Sequence, residues 1–443
     1  MDDEDQGRAV PAGRLARLGA FGRLAGSVAG GMAAEGARRW AAGERPSARE
    51  LLLTPGNVTR LADRLSHLRG AAMKLGQMIS MDAGEFLPPE LAEIMARLRQ
   101  NATRMPPAQL DGVLTRAWGK GWRTKFRRFE ATPIAAASIG QVHRGETRDG
   151  RLLAIKVQYP GVATSTDSDI DNVAGLLRIA RLLPAELDIA PLLTAAKEQL
   201  REEADYEREG AQLRRFGAWL RDDPAYMVPA LHADLTTTEV LAMDYIAGDP
   251  IEALVDAPQD ARDAAMERLW ALVLRELFEF GAMQTDPNFA NYRVERESGR
   301  LILLDFGAAR DVPLAVRTAY HRLLLAGLDN DVDAVREASV AAGFVSAGAA
   351  ATHRETVDAM TRVVLAQLNR GGPVDFADRA FLDQVRQQGM AVAADRAAWH
   401  LPPADTLFVQ RKISGTALLA ARLSARVDMH ALRKSYRGWS PPG

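Results

Sequence analysis

The strongest constraint on this chain lies in residues 281–310, GAMQTDPNFANYRVERESGRLILLDFGAAR. Asp286 is followed five residues later by Asn291, and Pro287 stiffens the loop between them. An apolar run, Leu301–Leu304, then delivers Asp305-Phe306-Gly307. A loop of the form Asp-x-x-x-x-Asn ahead of a short strand ending in Asp-Phe-Gly is the grammar of phosphoryl transfer on a metal-bound nucleotide. Asn291 and Asp305 are hard oxygen ligands of the kind that hold Mg2+ on nucleotide phosphates. Asp286 stands where a general base or a water-orienting carboxylate stands. Asp-Phe-Gly alone is an ordinary strand-to-turn exit; the upstream loop in register gives it chemical weight.

A chain of 443 residues can bury a large core, in two or three packed units rather than one. Its net charge of −1 exerts no global pull on nucleic acid or anionic lipid, so no nucleic-acid partner is expected. The absence of cysteine excludes disulfides, thiol nucleophiles and zinc-thiolate sites, and the seven histidines are scattered without metal-ligand spacing. The N-terminal MDDEDQGR is acidic and lacks the apolar core of a signal peptide. No stretch of about eighteen uninterrupted apolar residues predicts a spanning helix. A cytoplasmic protein, soluble or lying on a membrane surface, is the expectation. Seven lysines stand against 49 arginines. Each lysine is therefore worth locating, because a guanidinium does not replace a compact ammonium in a tight site.

Taken in order, residues 12–42 mix small residues, arginines and a few large apolar side chains that do not separate from Arg14 and Arg17 on a helical wheel. A membrane-proximal segment and a glycine-studded packing helix both remain open there. From residue 56 to 81, Val58, Leu61, Leu65, Leu68, Ala72, Leu75 and Ile79 recur at steps of three and four, the seam of an amphipathic helix. Lys74 and Gln77 share a face away from that seam, and spacing alone reads them as solvated. Pro88-Pro89 and Met105-Pro106-Pro107 break the chain around a second helix, and 108–119 reads as a third.

The character changes at Pro133. The string IAAASIGQVHRGETRDGRLLAIKVQYPGV reads as strand, small-residue turn, strand, hairpin and strand, with Asp149-Gly150 as the hairpin turn. Lys156 falls within an alternating run, Leu152–Tyr159, as in the Val-Ala-Ile-Lys strand of a kinase. Ala135, Ala136, Ala137, Ser138, Ile139 and Gly140 occupy the place of a phosphate-covering loop. Alanine there keeps the small size but restricts the backbone. A helix over 167–183 and a long one over 191–217 follow; the latter carries Glu202, Glu203, Asp205, Glu207 and Glu209, and spacing does not say which acid points inward. Residues 240–248 then read as a strand leading to an interlobe hinge, with Met243, Asp244 and Ile246 at an adenine edge. The helix over 260–280 closes at Gly281, and everything beyond about Pro313 reads as helix.

This order predicts an α+β, bilobal protein-kinase-like fold with an N-terminal helical extension and an all-helical C-terminal lobe. The expected segments are 1–50, rich in Gly, Ala and Arg; 51–130, the helical extension; 131–247, the N-lobe; and 248–443, the C-lobe.

Together the motifs resemble the UbiB/AarF family of atypical kinases. The matching residues are Lys74-Leu75-Gly76-Gln77, AAASIGQVH at 135–143, Lys156-Val157-Gln158-Tyr159-Pro160, Glu203-Ala204-Asp205, QTDPNFAN at 284–291 and LLDFGAAR at 303–310. The resemblance runs from about residue 12 to at least 325. It implies ATP or ADP with Mg2+ as ligands, Lys156 on the α/β-phosphates and paired with Glu203, and Asp286 as the catalytic-loop acid. Asn291 and Asp305 would hold the metal. Lys74 and Gln77 would reach the nucleotide site from the extension beside the Glu203/Asp205 region, with Glu209 a second acid near it. It further implies support of ubiquinone biosynthesis, with quinone precursors and other biosynthetic enzymes as partners; anionic lipid is a separate expectation, from residues 12–42 and the apolar nature of those precursors. Oligomeric state stays open.

Two departures from ordinary protein kinases bear on substrate. Gln284-Thr285-Asp286 replaces His-Arg-Asp, and no long segment comes after Gly307 to position a peptide. The expectation is an ATPase without protein-kinase activity in trans. A true protein or small-molecule kinase and a nucleotide-gated lipid- or partner-binding protein are the alternatives.

Overall fold

The computed structural model describes residues 104–179, 190–378 and 402–441, with isolated helical positions at 38–40, 71, 380, 383, 384 and 387. Lys74, Gln77 and nearly all of residues 12–42 and 56–81 lie outside the described residues. The chain divides into two compact units, one reaching Ala211 and taking in Ala230–Tyr245, the other made of Gln212–Pro229 and Ile246–Gly443.

The first unit begins with α1 (Pro107–Trp118), which has Pro107 at its first position, where a missing N–H costs nothing. Its strands are β1 (Phe126–Phe129), β2 (Ala135–Ala136), β3 (Gly140–Thr147) and β4 (Leu152–Gln158). Next come α2 (Val162–Ile179), α3 (Ala190–Glu203), α4 (Tyr206–Trp219), whose last turns belong to the second unit, and β6 (Val240–Asp244); β5 (Tyr226–Met227), between α4 and β6 in sequence, also belongs to the second unit. The antiparallel sheet runs β1-β3-β4-β6, with β2 added to β3. The predicted Asp149-Gly150 hairpin joins β3 to β4, Gly150 taking φ 90°.

The alternation expected along β4 is present, but both faces are buried. Leu153, Ile155 and Val157 join a core with Val113, Leu114, Trp122, Phe126, Val240 and Ala242. On the other face Lys156 pairs with Glu209 of α4, and Gln158 donates to the Ala204 and Thr238 carbonyls. The polar alternate positions thus meet partners instead of solvent.

The single long helix expected over 191–217 is two helices. α3 stops at Glu203, and the Asp205 side chain accepts from the Arg208 N–H at 3.0 Å. That bond is the N-cap of a new helix, which is why the chain restarts at Tyr206.

The second unit opens its main run with β7 (Asp249–Pro250). α5 (Gln259–Arg275) then leads into one turn of π-helix, Glu276–Phe280, closed by Gly281 at φ 61°. Arg317 donates to the Leu277 and Phe278 carbonyls and Trp439 Nε1 to Phe278, satisfying oxygens exposed by that turn. β8 (Ala282–Gln284), β9 (Tyr292–Val294), β10 (Leu301–Leu303) and β11 (Ala309–Asp311) come next. β9 pairs with β7 and β10, β10 also pairs with β5, and β11 pairs with β8. α6 (Leu314–Leu328), α7 (Val332–Ala341), α8 (Ala347–Thr352) and α9 (Arg354–Leu368) complete most of this unit. The expectation of helix alone beyond Pro313 needs one correction: Val374–Asp375 and Arg426–Val427 pair as a short antiparallel ladder flanking α10 (Ala404–Arg422). Two-residue strands carry too little alternation to be read from sequence.

Candidate active site

In the first unit the alanine-rich segment is a tight turn. Ala135 and Ala136 pair with Val142 and Gln141, and the Ala137 N–H donates to Gly140 O. Ile139 is buried, and its carbonyl accepts from the Tyr159 N–H at 2.9 Å. Gly140 has to be glycine: a Cβ there would lie 2.3 Å from the Val157 carbonyl oxygen and 3.1 Å from Tyr206 Oη. The Ser138 hydroxyl donates to Glu203 at 2.9 Å, which fastens the turn to the end of α3.

Lys156 lies opposite Val142 and Leu241 in the sheet. Its Nζ donates to both Glu209 carboxylate oxygens, at 2.9 and 3.0 Å, and stands 5.2 Å from the centre of the Tyr206 ring. Among the described residues the carboxylate on Lys156 is that of Glu209, in the first turns of α4, where the expectation placed Glu203. The helix break at Asp205 turns the later acid onto the lysine. Asp205 itself caps α4, and Tyr206 is a neighbour of Lys156 that no motif singled out.

At the far end of the sheet, Met243 pairs with Ala154, and Asp244 with Leu153. The Asp244 carboxylate accepts from the Ala230 N–H and faces His232 Nε2 at 2.7 Å. The N–H groups of Asp244 and Tyr245 donate to Ala230 O and Leu152 O. Ile246 is half-buried just beyond the strand.

In the second unit the register of two strand pairs gathers the catalytic-loop residues. Gln284 pairs with Ala309, while Tyr292 pairs with Leu303. The connecting loops, 285–291 and 304–308, are thereby clamped at both ends. Thr285 donates to Ala308 O through its N–H and, at 2.8 Å, through its hydroxyl, and Leu304 N–H donates to Asn291 O at 3.0 Å. Asp286 and Asn291 therefore share one end of this unit with Asp305. Asn291 Nδ2 lies 3.4 Å from Asp286 O, and Asp305 Oδ1 accepts from the Gly307 N–H.

This donor set suits Mg2+ carried on a nucleotide. Among the described residues no group of three or more His, Cys, Asp or Glu side chains could hold a metal ion. One carboxylate, Asp305, and one amide, Asn291, match an ion that takes its remaining ligands from phosphates and water.

Behind the loop is a cluster that the motifs did not predict. Lys412 of α10 donates to Tyr292 Oη at 2.7 Å and Gln284 Oε1 at 3.4 Å, and pairs with Glu276 at 3.5 Å. Burial works against the ammonium, but Glu276 and Tyr292 outweigh it and hold the Lys412 pKa above its ordinary value. Gly415, one turn later, faces Pro287 closely enough that a Cβ would lie 2.0 Å from the proline Cβ. The one signal available in sequence was the scarcity of lysine.

Comparison with known proteins follows the same motifs. A model of the ABC1 atypical kinase-like domain matches residues 97–339. The mitochondrial atypical kinase COQ8 of Saccharomyces cerevisiae is 36% identical over 429 residues, covering 96% of this chain and 85% of that protein. The mitochondrial atypical kinase COQ8B of Rattus norvegicus is 37% identical over 448 residues, covering 99% and 84%. Among solved structures, Rv3197 of Mycobacterium tuberculosis in complex with erythromycin superposes with a TM-score of 0.61 at 26% identity. That match covers 86% of this chain and 95% of that one.

Proposed function

The chain belongs to the ABC1 family of atypical kinase-like proteins, as its motifs led one to expect, and from that premise we propose that it is a Mg2+-dependent ATPase supporting isoprenoid-quinone biosynthesis. The observation that carries this reading is the double clamp that groups Asp286, Asn291 and Asp305 at one end of the second unit. Asn291 and Asp305 would hold Mg2+, which supplies charge neutralisation on the phosphates. Lys156, kept ordered by Glu209, contacts the α/β-phosphates; Asp286 orients the attacking water. The turn at 135–140 covers the phosphates, and the segment from Met243 to Ile246 takes the adenine. The N–H groups of Asp244 and Tyr245 are already committed, which favours Ile246 as the donor.

The short path out of Asp-Phe-Gly supports water as the acceptor. β11 pairs back onto β8 directly, and α6 begins at Leu314, seven residues after Gly307. That interval has no room for the segment on which protein kinases seat a peptide. No helix among the described residues is long and apolar enough to cross a membrane. Quinone precursors are apolar, so the protein meets them by lying on an anionic lipid surface. Lys74 and Gln77 would act from the N-terminal extension.

The test is phosphate release from Mg–ATP by the purified chain, with and without anionic vesicles carrying a quinone-precursor mimic. Release that vesicles raise and Asp305→Asn abolishes is the expected result. Release no greater than that of Asp305→Asn under every condition would overturn the reading.

A further inference from the structure

Beneath the candidate catalytic loop, four side chains form a buried polar cluster contributed by three separate stretches of chain. Glu276 and Lys412 are each 1% exposed, Gln284 4% and Tyr292 5%. Glu276 opens the π-turn, Gln284 and Tyr292 bracket the loop, and Lys412 comes from α10. Glu276 Oε1 accepts from the Gln284 N–H at 3.3 Å. Lys412 reaches the Gln284 side chain, the Tyr292 hydroxyl and Glu276. The loop is thus held two residues before Asp286 and one residue after Asn291.

Stability does not explain such a cluster. A buried ion pair replaced by apolar side chains of similar volume commonly leaves a fold equally stable or more so. Here Gln284 Nε2 makes no hydrogen bond among the described residues and Glu276 Oε2 has only its 3.5 Å ion pair with Lys412, so the desolvation of these groups is incompletely offset. What the pair supplies is direction. One ammonium, held by three partners, fixes both ends of a loop whose own backbone, from 285 to 288, has no regular secondary structure.

We propose that Lys412, charge-compensated by Glu276, is a positioning residue that sets the distance between Asp286 and Asn291 through Gln284 and Tyr292. The proposal rests on the phosphoryl-transfer reading above and deepens it. Lys412 touches neither nucleotide nor metal; it acts through the two residues that flank the loop.

The discriminating variant is the double substitution Glu276→Gln with Lys412→Met in the full chain. It removes both charges together, keeps an acceptor for the Gln284 N–H, and avoids leaving one ion buried alone. Three quantities are read: the melting midpoint, the half-saturating Mn2+ concentration for ADP binding, and kcat against KM for phosphate release. Lys412→Met alone should melt well below the unsubstituted protein, whereas the double variant should melt close to it. Despite that recovery, its half-saturating Mn2+ should rise and its kcat fall, each by about 10- to 100-fold, with KM little changed. Recovery of turnover and Mn2+ response along with stability would overturn the proposal and leave the pair a packing feature.

Tyr292→Phe serves as a second probe that keeps the fold, since it deletes only the hydroxyl that Lys412 contacts. Unchanged Mn2+ half-saturation in that variant also counts against the proposal. If the unsubstituted protein binds Mn–ADP but releases no phosphate, the ATPase reading fails and the Mn2+ measurements decide the positioning role by themselves. If it binds no Mn–ADP, both fall.

Discussion

Gly415→Ala puts the support of the loop to a test whose sign is unusual. An alanine replacing a glycine inside a helix ordinarily stabilises by about 0.5–1 kcal/mol, because it narrows the unfolded ensemble. At position 415 the new Cβ would lie 2.0 Å from Pro287 Cβ, 2.8 Å from its Cγ and 3.4 Å from its Cα. The proline ring cannot swing aside as a flexible side chain would, so α10 or the loop has to move. Overpacking of this kind costs about 1–3 kcal/mol. After the helical gain, the net loss is about 0–2.5 kcal/mol. For a unit of this size that lowers the melting midpoint by up to about 10 °C. Because Pro287 comes directly after Asp286, the same displacement should lower phosphate release by about 10- to 100-fold. Gly175→Ala in α2 is the control, since no atom of the described residues lies within 4 Å of its added Cβ. It should gain stability by the ordinary amount. Differential scanning calorimetry on both variants decides the matter: a Gly415→Ala protein that melts higher, as Gly175→Ala should, refutes the reasoning.

The first unit yields two further expected outcomes. Glu209→Gln removes the carboxylate from the buried Lys156 ammonium and should cost about 3–5 kcal/mol with a large loss of phosphate release; equal effects from Glu203→Gln would show that the pairing is not specific to Glu209. His143 is wholly buried, its Nδ1 facing the Glu130 carbonyl and its Nε2 facing Gln141 Nε2, while Gln141 Oε1 accepts from the Met105 N–H. Burial holds its pKa below the ordinary value, so the unfolded chain takes up the proton first as pH falls. Its contribution to stability is therefore full above about pH 6.5 and declines as pH drops toward the depressed folded value. Chemical denaturation from about pH 7.5 down to about pH 5 should show a downward slope in stability that is shallower in His143→Gln. An unchanged slope would assign it to other groups.

Local pattern carried much of this architecture. The Asp149-Gly150 turn, the alternation around Lys156 and the apolar run ahead of Asp305 each specify their element through side chains a few residues apart. The grouping of Asp286, Asn291 and Asp305 was legible for the same reason, since two short strand pairings enforce it. The partner of Lys156 was harder to read. In a continuous helix Glu203 and Glu209 would point about 120° apart, but the cap at Asp205 resets the phase, and acidic residues crowd both sides of it. Lys412 lay beyond local reasoning altogether. It lies 120 residues from Tyr292, and α10 is buried on so many sides that periodicity does not mark which residue meets the loop.

The separation between α10 and the loop has a temporal side. A ribosome adding about 5–20 residues per second reaches Lys412 roughly 6–24 s after Tyr292. From Asp305 onward the nascent chain carries Asp286, Asn291 and Asp305 but not yet the brace behind them. The same logic applies to fragments cut at the borders of sequence recurrence. The family match ends at residue 339, so a protein trimmed there keeps Asp286, Asn291 and Asp305 while losing the helix that aims them.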